Sequence, residues 1–267
     1  MLIVSGCAPR SSRELWDMNV TRSGPLGFQA EDFSTPPFHL AGLLKVTEPG
    51  DDLVVYLEGD GRGVSRGRVN VDPTPTIATT LDLAVQDPAP RVLYLARIGQ
   101  FMPAYATPAN KVYWSSGRLA PQAIDAASEA INQAKLKAGA SFIHLVGFSG
   151  GGGLAVLLAE SRDDVKSVVT VAGLLDTDWW VTTRKFRPMF QSLNPADRAD
   201  LINKIPQIHF YGTKDSIIPP EMSMVYAARA PFVKLQRVPI PTSHDKGWKE
   251  RWKALLDQYV LPLRSVL

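Results

Sequence analysis

Ser149 lies in Gly147-Phe148-Ser149-Gly150-Gly151, between the apolar run Phe142 to Phe148 and the apolar stretch Leu154 to Ala159. The pattern reads as strand, glycine-flanked corner, helix. A serine at so tight a corner takes a strained backbone, and the glycines let strand and helix close around it. Its Oγ then projects from the end of the sheet, with the unpaired N–H groups of the helix start just behind it. The Gly-x-Ser-x-Gly spacing therefore predicts an exposed nucleophile beside anion-stabilising donors. On the motif alone two other uses stay open, plain packing of strand on helix and a phosphate cradle. The glycine order lacks Gly-x-Gly-x-x-Gly, and no Gly-Lys-Ser or Gly-Lys-Thr is present, which counts against nucleotide binding.

A serine hydroxyl needs a base, and the base needs a carboxylate to fix its tautomer. The chain has four histidines. His39 falls in an early strand pattern, and His144 and His209 sit inside apolar strand patterns that predict core positions. His244 differs, because Pro241-Thr242-Ser243-His244-Asp245-Lys246-Gly247 reads as a loop between the last strand and the last helix. Such loops, at the carboxyl ends of strands, are where open α/β sheets meet their ligands. The acid candidate is Asp215 in Tyr211-Gly212-Thr213-Lys214-Asp215-Ser216-Ile217-Ile218-Pro219, with Asp176, after the preceding strand, as its rival. Asp245 adjoins His244 in sequence, so its side chain diverges from the ring.

The elements that must position these residues follow from short apolar runs. Phe38 to Val46, Leu53 to Leu57, Val92 to Ala96, Phe142 to Val146, Val165 to Val171, Ile208 to Tyr211 and Phe232 to Val238 read as strands, several apolar throughout and suited to burial on both faces. Helical patterns over Ala120 to Lys137, Leu154 to Glu160, Glu221 to Arg229 and Trp248 to Val260 alternate with them. This predicts an α/β fold with a mostly parallel central sheet and helices on both faces. Residues 1–30 are expected as an N-terminal segment and tether, 31–267 as the domain. Residues 174–193 break the rhythm and are a candidate cap, with an ordinary crossover as the alternative.

The 267 residues, 45% hydrophobic and 21% charged, fit a globular protein with a sizeable core. A net charge of +3 without a long basic block argues against nucleic acid as a partner. Arg62, Arg66 and Arg68 cluster in a glycine-containing loop, either solvated or anion-binding. With one cysteine there is no intramolecular disulfide. Val4-Ser5-Gly6-Cys7 resembles the lipobox of bacterial lipoproteins, which implies membrane anchoring through a lipidated Cys7 and a cell-envelope location. Only Met1-Leu2-Ile3 precede that box, whereas an export signal needs about 7–15 apolar residues; without such a leader the expectation is cytoplasmic. No metal spacing, nucleotide fingerprint or cofactor lysine motif is evident, so no cofactor and no metal are expected. Oligomeric state is not legible.

Ser149, Asp215 and His244 occur in the order Ser…Asp…His, that of the α/β-hydrolase superfamily, which the chain resembles from about Phe38 to its C-terminus. Tyr56-Leu57-Glu58-Gly59-Asp60-Gly61-Arg62 and Tyr94-Leu95-Ala96-Arg97 are similar to segments of a group of bacterial α/β-hydrolases, often lipoprotein-like. Where that group often carries cysteines after the arginine, this chain has Ile98-Gly99-Gln100-Phe101. The resemblance implies a serine hydrolase cleaving an ester or related acyl bond of a small or lipid-like molecule, with an acyltransferase or peptidase using the same three residues as alternatives. A non-catalytic envelope binding protein is the reading from another class. It also implies an oxyanion hole built by the backbone N–H groups of Asp60 and Gly150. Glu58 and Asp60 would repel an oxyanion, so they are expected to turn away and pair with Arg62, Arg97 or Arg118. Trp179, Trp180 and Phe186 can line an acyl pocket, and Arg62 or Arg97 can bind an acidic substrate, unless these side chains are structural.

Overall fold

The computed structural model describes residues 10–101, 110–230 and 234–267; Cys7 lies outside them. The strands are β1 (Phe28–Thr35), β2 (Phe38–Val46), β3 (Asp52–Leu57), the two-residue pair β4 (Val64–Ser65) and β5 (Arg68–Val69), β6 (Arg91–Leu95), β7 (Phe142–Phe148), β8 (Val165–Val171), β9 (Gln207–Gly212) and β10 (Leu235–Ile240). The helices are α1 (Ser12–Ser23), α2 (Thr79–Ala84), α3 (Pro121–Ala138), α4 (Gly150–Ser161), α5 (Thr177–Arg184), α6 (Glu221–Arg229), α7 (Trp248–Leu255) and α8 (Leu261–Arg264). Eight strands form one sheet in the order β1-β2-β6-β3-β7-β8-β9-β10, and β4 and β5 make a separate hairpin. From β6 to β10 the sheet is parallel, while β2 runs antiparallel to both β1 and β6.

Period-two alternation explains why the central strands are apolar throughout. Leu53, Val55 and Leu57 of β3 join the core layer with α3, α4 and α6, whereas Val54 and Tyr56 join the layer with α2 and α7. Ile143 and Leu145 against Val146 and Phe148 divide β7 in the same way. The fold class is therefore as expected, a mostly parallel sheet covered on both faces.

Local differences have physical reasons. The glycines Gly150 to Gly153, expected as a turn, form the first turn of α4, because the helix must start almost in contact with the sheet. Residues 10–30 are not a bare tether: Ser11 and Glu14 cap α1 reciprocally, Leu15 is buried in the core, and β1 begins before position 30. The last helical stretch is interrupted by a π turn over Leu256–Val260. β10 starts at Leu235 rather than Phe232, and residues 231–233 lie outside the described residues. Among the described residues no helix is long and apolar enough to cross a membrane.

Two strand histidines are core residues, as their apolar settings imply. His209 donates its Nε2–H to Gln207 Oε1 at 3.1 Å and accepts the Thr170 hydroxyl at 2.7 Å. Burial drives its pKa down to about 3, with Arg237 adding to the effect. In the unfolded chain histidine protonates near its ordinary value of 6.5, so the neutral buried ring contributes its full stability above that pH. The contribution is lost as pH falls from about 6.5 toward about 3. His209→Gln should be less stable at neutral pH but show a shallower fall in Tm across that acid range, as read by thermal melts.

Candidate active site

The elbow is built as its sequence implies. Ser149 joins β7 to α4 with φ +53° and ψ −120°, a region that L-residues avoid. Three backbone hydrogen bonds hold it there. Its N–H donates to Val171 O at 3.0 Å, and its carbonyl accepts from Gly152 and Leu174, each at 2.9 Å. Two neighbouring glycines are steric necessities: a Cβ at Gly147 would overlap the Gly151 backbone, and one at Gly151 would overlap the carbonyls of Leu57 and Glu58.

The loops after β9 and β10 bring the partners. Asp215 is buried, and its Oδ1 accepts the N–H groups of Ile217 and Ile218 at 2.8 and 2.9 Å. That leaves Oδ2 to accept from His244 Nδ1 at 2.8 Å. The opposite ring nitrogen, Nε2, accepts the Ser149 hydroxyl at 3.0 Å. The imidazole is further fixed by the Phe148 ring, centroids 5.2 Å apart, and by Trp248 Nε1–H, which donates to the His244 carbonyl at 2.9 Å. The structure thus brings Ser149, Asp215 and His244 into one hydrogen-bonded relay. Asp176 is occupied elsewhere: it caps α5 through Trp179 N at 2.9 Å and receives Asn194 Nδ2 at 3.2 Å.

Gly59, in the loop after β3, packs over Ser149, so that a Cβ on it would meet Phe148 and Ser149. Among the described residues neither the Asp60 nor the Gly150 amide has a protein acceptor, which leaves both free to donate. The loop is held by a lattice that sequence reading did not find. Gln100 Nε2 donates to Gly59 O at 2.9 Å, and Gln100 Oε1 accepts Arg97 N at 3.0 Å. No spacing links Gln100 to Gly59; only the chain path after β6 does.

The two acids of the loop are treated differently. Asp60 pairs with Arg118 at 2.7 Å and Arg97 at 3.4 Å. Burial pushes its carboxyl up, but Arg118 and Arg97 outweigh burial and hold it below the ordinary aspartate value. Glu58 pairs with no arginine, contrary to expectation, because it points into the core. There its Oε1 accepts Gly59 N–H at 2.9 Å and the Thr80 hydroxyl at 2.8 Å, and its Oε2 accepts the Tyr94 hydroxyl at 3.1 Å. Burial raises its pKa to about 7 against the pull of these donors.

Two of the expected substrate contacts are otherwise engaged. Arg97 is buried and spends its guanidinium on Asp60 and the Arg118 carbonyl. Arg62 donates through Nε to Thr74 O at 2.8 Å, which ties down its own loop. Trp179 is half-buried and packs on the core, as does Trp180, but Trp180 also reaches the acid loop, donating Nε1–H to Ile217 O at 2.8 Å. Among the described residues no group of acidic, histidine or cysteine side chains is placed to hold a metal ion.

Fold and site together define an α/β-hydrolase. Structures with the same fold include Est1E from Butyrivibrio proteoclasticus (14% identity, TM-score 0.64, covering 88% of this chain and 99% of that one). The Pyrococcus furiosus esterase Pf2001 is similar at 12% identity and TM-score 0.63, over 90% of this chain and 93% of that one. A puromycin-hydrolyzing peptidase of Mycobacterium tuberculosis matches at 17% identity and TM-score 0.62, over 90% of this chain but only 39% of that longer one. Comparison with curated protein sequences gives no match. The family model described as serine hydrolase (FSH1) matches residues 99–235, and the chain belongs to that family. It is an α/β serine hydrolase. The matched segment holds Ser149 and Asp215, while His244 and Asp60 lie outside it.

Asp60→Asn would leave two poorly exposed guanidiniums facing a neutral amide. Removing one partner of a buried ion pair costs about 3–5 kcal/mol, so urea denaturation at neutral pH should show a loss of that order. A variant as stable as the parent protein would remove the ion pairs from any account of how the loop is held.

Proposed function

We propose that the chain hydrolyses carboxylic esters of small or lipid-like molecules through an acyl-enzyme, with Ser149 as nucleophile, His244 as general base and then general acid, and Asp215 as the group that orients it. The observation that carries this reading is the relay from Asp215 Oδ2 through His244 to Ser149 Oγ, at 2.8 and 3.0 Å, ending on a serine whose backbone is held at positive φ.

In the first half-reaction Ser149 Oγ attacks the ester carbonyl as its proton passes to His244 Nε2. The imidazolium so formed is stabilised by the Asp215 carboxylate, which stays ionised. The carbonyl oxygen becomes an oxyanion facing the Asp60 and Gly150 amides, donors that need no rearrangement as the charge develops. The tetrahedral intermediate collapses, the C–O bond to the alcohol breaks, and the alkoxide takes the proton from Nε2. Water then repeats the sequence on the acyl-Ser149 ester, releasing the carboxylic acid and restoring the hydroxyl.

Ser149→Ala should retain the parent Tm and lose turnover of an activated short-chain aryl ester by a factor on the order of 10⁴ or more. It should also lose labelling by a fluorophosphonate, which reports an activated serine. Undiminished turnover in that variant would assign the chemistry to another residue.

A further inference from the structure

A closed ring of contacts runs through the site. From Ser149 the ring runs to Gly150, against whose Cα the Asp60 carboxylate rests so closely that a Cβ would overlap it. Asp60 binds Arg118 at 2.7 Å, and the Arg118 guanidinium lies over the Trp180 ring, 5.9 Å from its centroid. Trp180 binds the Ile217 carbonyl at 2.8 Å, and the Ile217 amide binds Asp215, which returns to His244 and Ser149. Within this ring Arg118 and Trp180 link Asp60 to the acid loop.

The charges immediately around Asp60 do not cancel. Arg97 and Arg118 share the single Asp60 carboxylate. Arg97 is buried, with its other amino group on the Arg118 carbonyl. Arg118 is half-buried, and it uses Nε on Ser115 O and Nη1 on Asp60. Among the described residues its Nη2 has no acceptor. One guanidinium is therefore left over, a carboxylate's width from the residue that follows the nucleophile. Its free Nη2, on a guanidinium backed by an indole, suits an anionic oxygen better than it suits an alkyl chain.

The surroundings carry the same sign. The Lys111–Trp114 turn that leads to Arg118 is bound on one side by the β4–β5 hairpin, through Trp114 Nε1 on Asn70 O at 3.0 Å. On the other side the loop after α5 joins it through Ser192 Oγ on Ser116 O at 2.8 Å. Arg66 and Arg68 are exposed on the hairpin, and Arg184, Lys185 and Arg187 at the end of α5 and just after it, against the acids Asp72 and Asp178 of the same segments. The basic residues of these two segments outnumber the acidic ones, a balance that favours approach of a negatively charged molecule.

Resting on the proposed ester hydrolysis, we infer that Arg118 is a binding residue for a carboxylate carried by the substrate, and that the enzyme selects anionic esters over neutral ones. The test compares an aryl hemisuccinate with its neutral methyl succinate counterpart, and 4-carboxyphenyl butyrate with phenyl butyrate. These pairs place the anion on the acyl and on the leaving side respectively. In at least one pair the parent enzyme should favour the anion in kcat/KM by roughly tenfold or more, a charge-assisted hydrogen bond expressed as rate. The preference should shrink as salt is raised. Arg118→Gln should bring the ratio to about one, and Arg118→Lys should retain part of it. Because both esters of a pair use the same oxyanion loop, a general loss caused by disturbing Asp60 cancels in the ratio. Turnover of all four esters with no anion preference in either pair overturns the proposal and leaves the hydrolase reading intact. A preference that survives Arg118→Gln also overturns it. Absence of turnover together with absence of fluorophosphonate labelling overturns the hydrolase reading, and this proposal falls with it.

Discussion

Everything at this site depends on a backbone conformation that a serine does not adopt by choice. With φ at +53°, residue 149 sits where the Cβ of an L-residue crowds its own carbonyl. The surroundings over-determine it: the N–H is taken by β8, the carbonyl by the start of α4 and by Leu174, and Gly147 and Gly151 stand where any Cβ would collide with backbone. The strain has a chemical return. It lifts Oγ away from strand and helix alike toward the loops after β9 and β10, and it leaves the Gly150 amide outside the helical ladder.

A second set of the same residue types shows how much this matters. Toward the N-terminal ends of the strands β7 and β8, Ser167 Oγ lies 2.8 Å from His144 Nδ1, and His144 Nε2 lies 3.9 Å from Asp52. Ser167 has no exposed surface and sits in a regular strand, with no helix start beside it. The ring is reversed, its Nδ1 on the serine and its Nε2 toward the acid, and Lys166 already binds that acid at 2.8 Å. Burial, with Arg264 adding, drives the pKa of His144 down to about 4. Composition and proximity alone therefore do not make a nucleophile. Loop placement separates the two serines, since only a turn can leave a serine both partly exposed and backed by free amides.

That contrast explains what could be read in the sequence. The strands buried on both faces, such as Leu53 to Leu57, are apolar at every position and announce themselves, and the three loops are marked by glycine, proline and polar residues. β1 is not so marked, because as an edge strand paired only with β2 it buries little beyond Phe28, Phe33 and Thr35. α1 carries few apolar residues and is legible mainly through the Ser11–Glu14 cap. The direction of a charged side chain is harder still. Nothing near Arg97 in sequence says that it turns inward to Asp60, 37 residues away, and nothing near Glu58 points to Thr80 and Tyr94. Such pairings are tertiary facts, settled by which loops the sheet order places side by side.

The acidic oxyanion loop follows from the same logic. In the proposed reaction an ionised Asp60 alone would raise the energy of an oxyanion developing at the Asp60 and Gly150 amides, and so would an ionised Glu58. The charge of each acid is offset by different means. Glu58 is so deeply buried that its charged form is disfavoured up to about pH 7, and it serves as a hydrogen-bonding peg between the loop, α2 and β6. Asp60 keeps its charge but meets two guanidiniums, so the cluster as a whole is positive. A single arginine would have balanced Asp60 and held the loop. The second leaves a net positive charge around Asp60, of the sign that favours the negative charge the proposed reaction develops nearby.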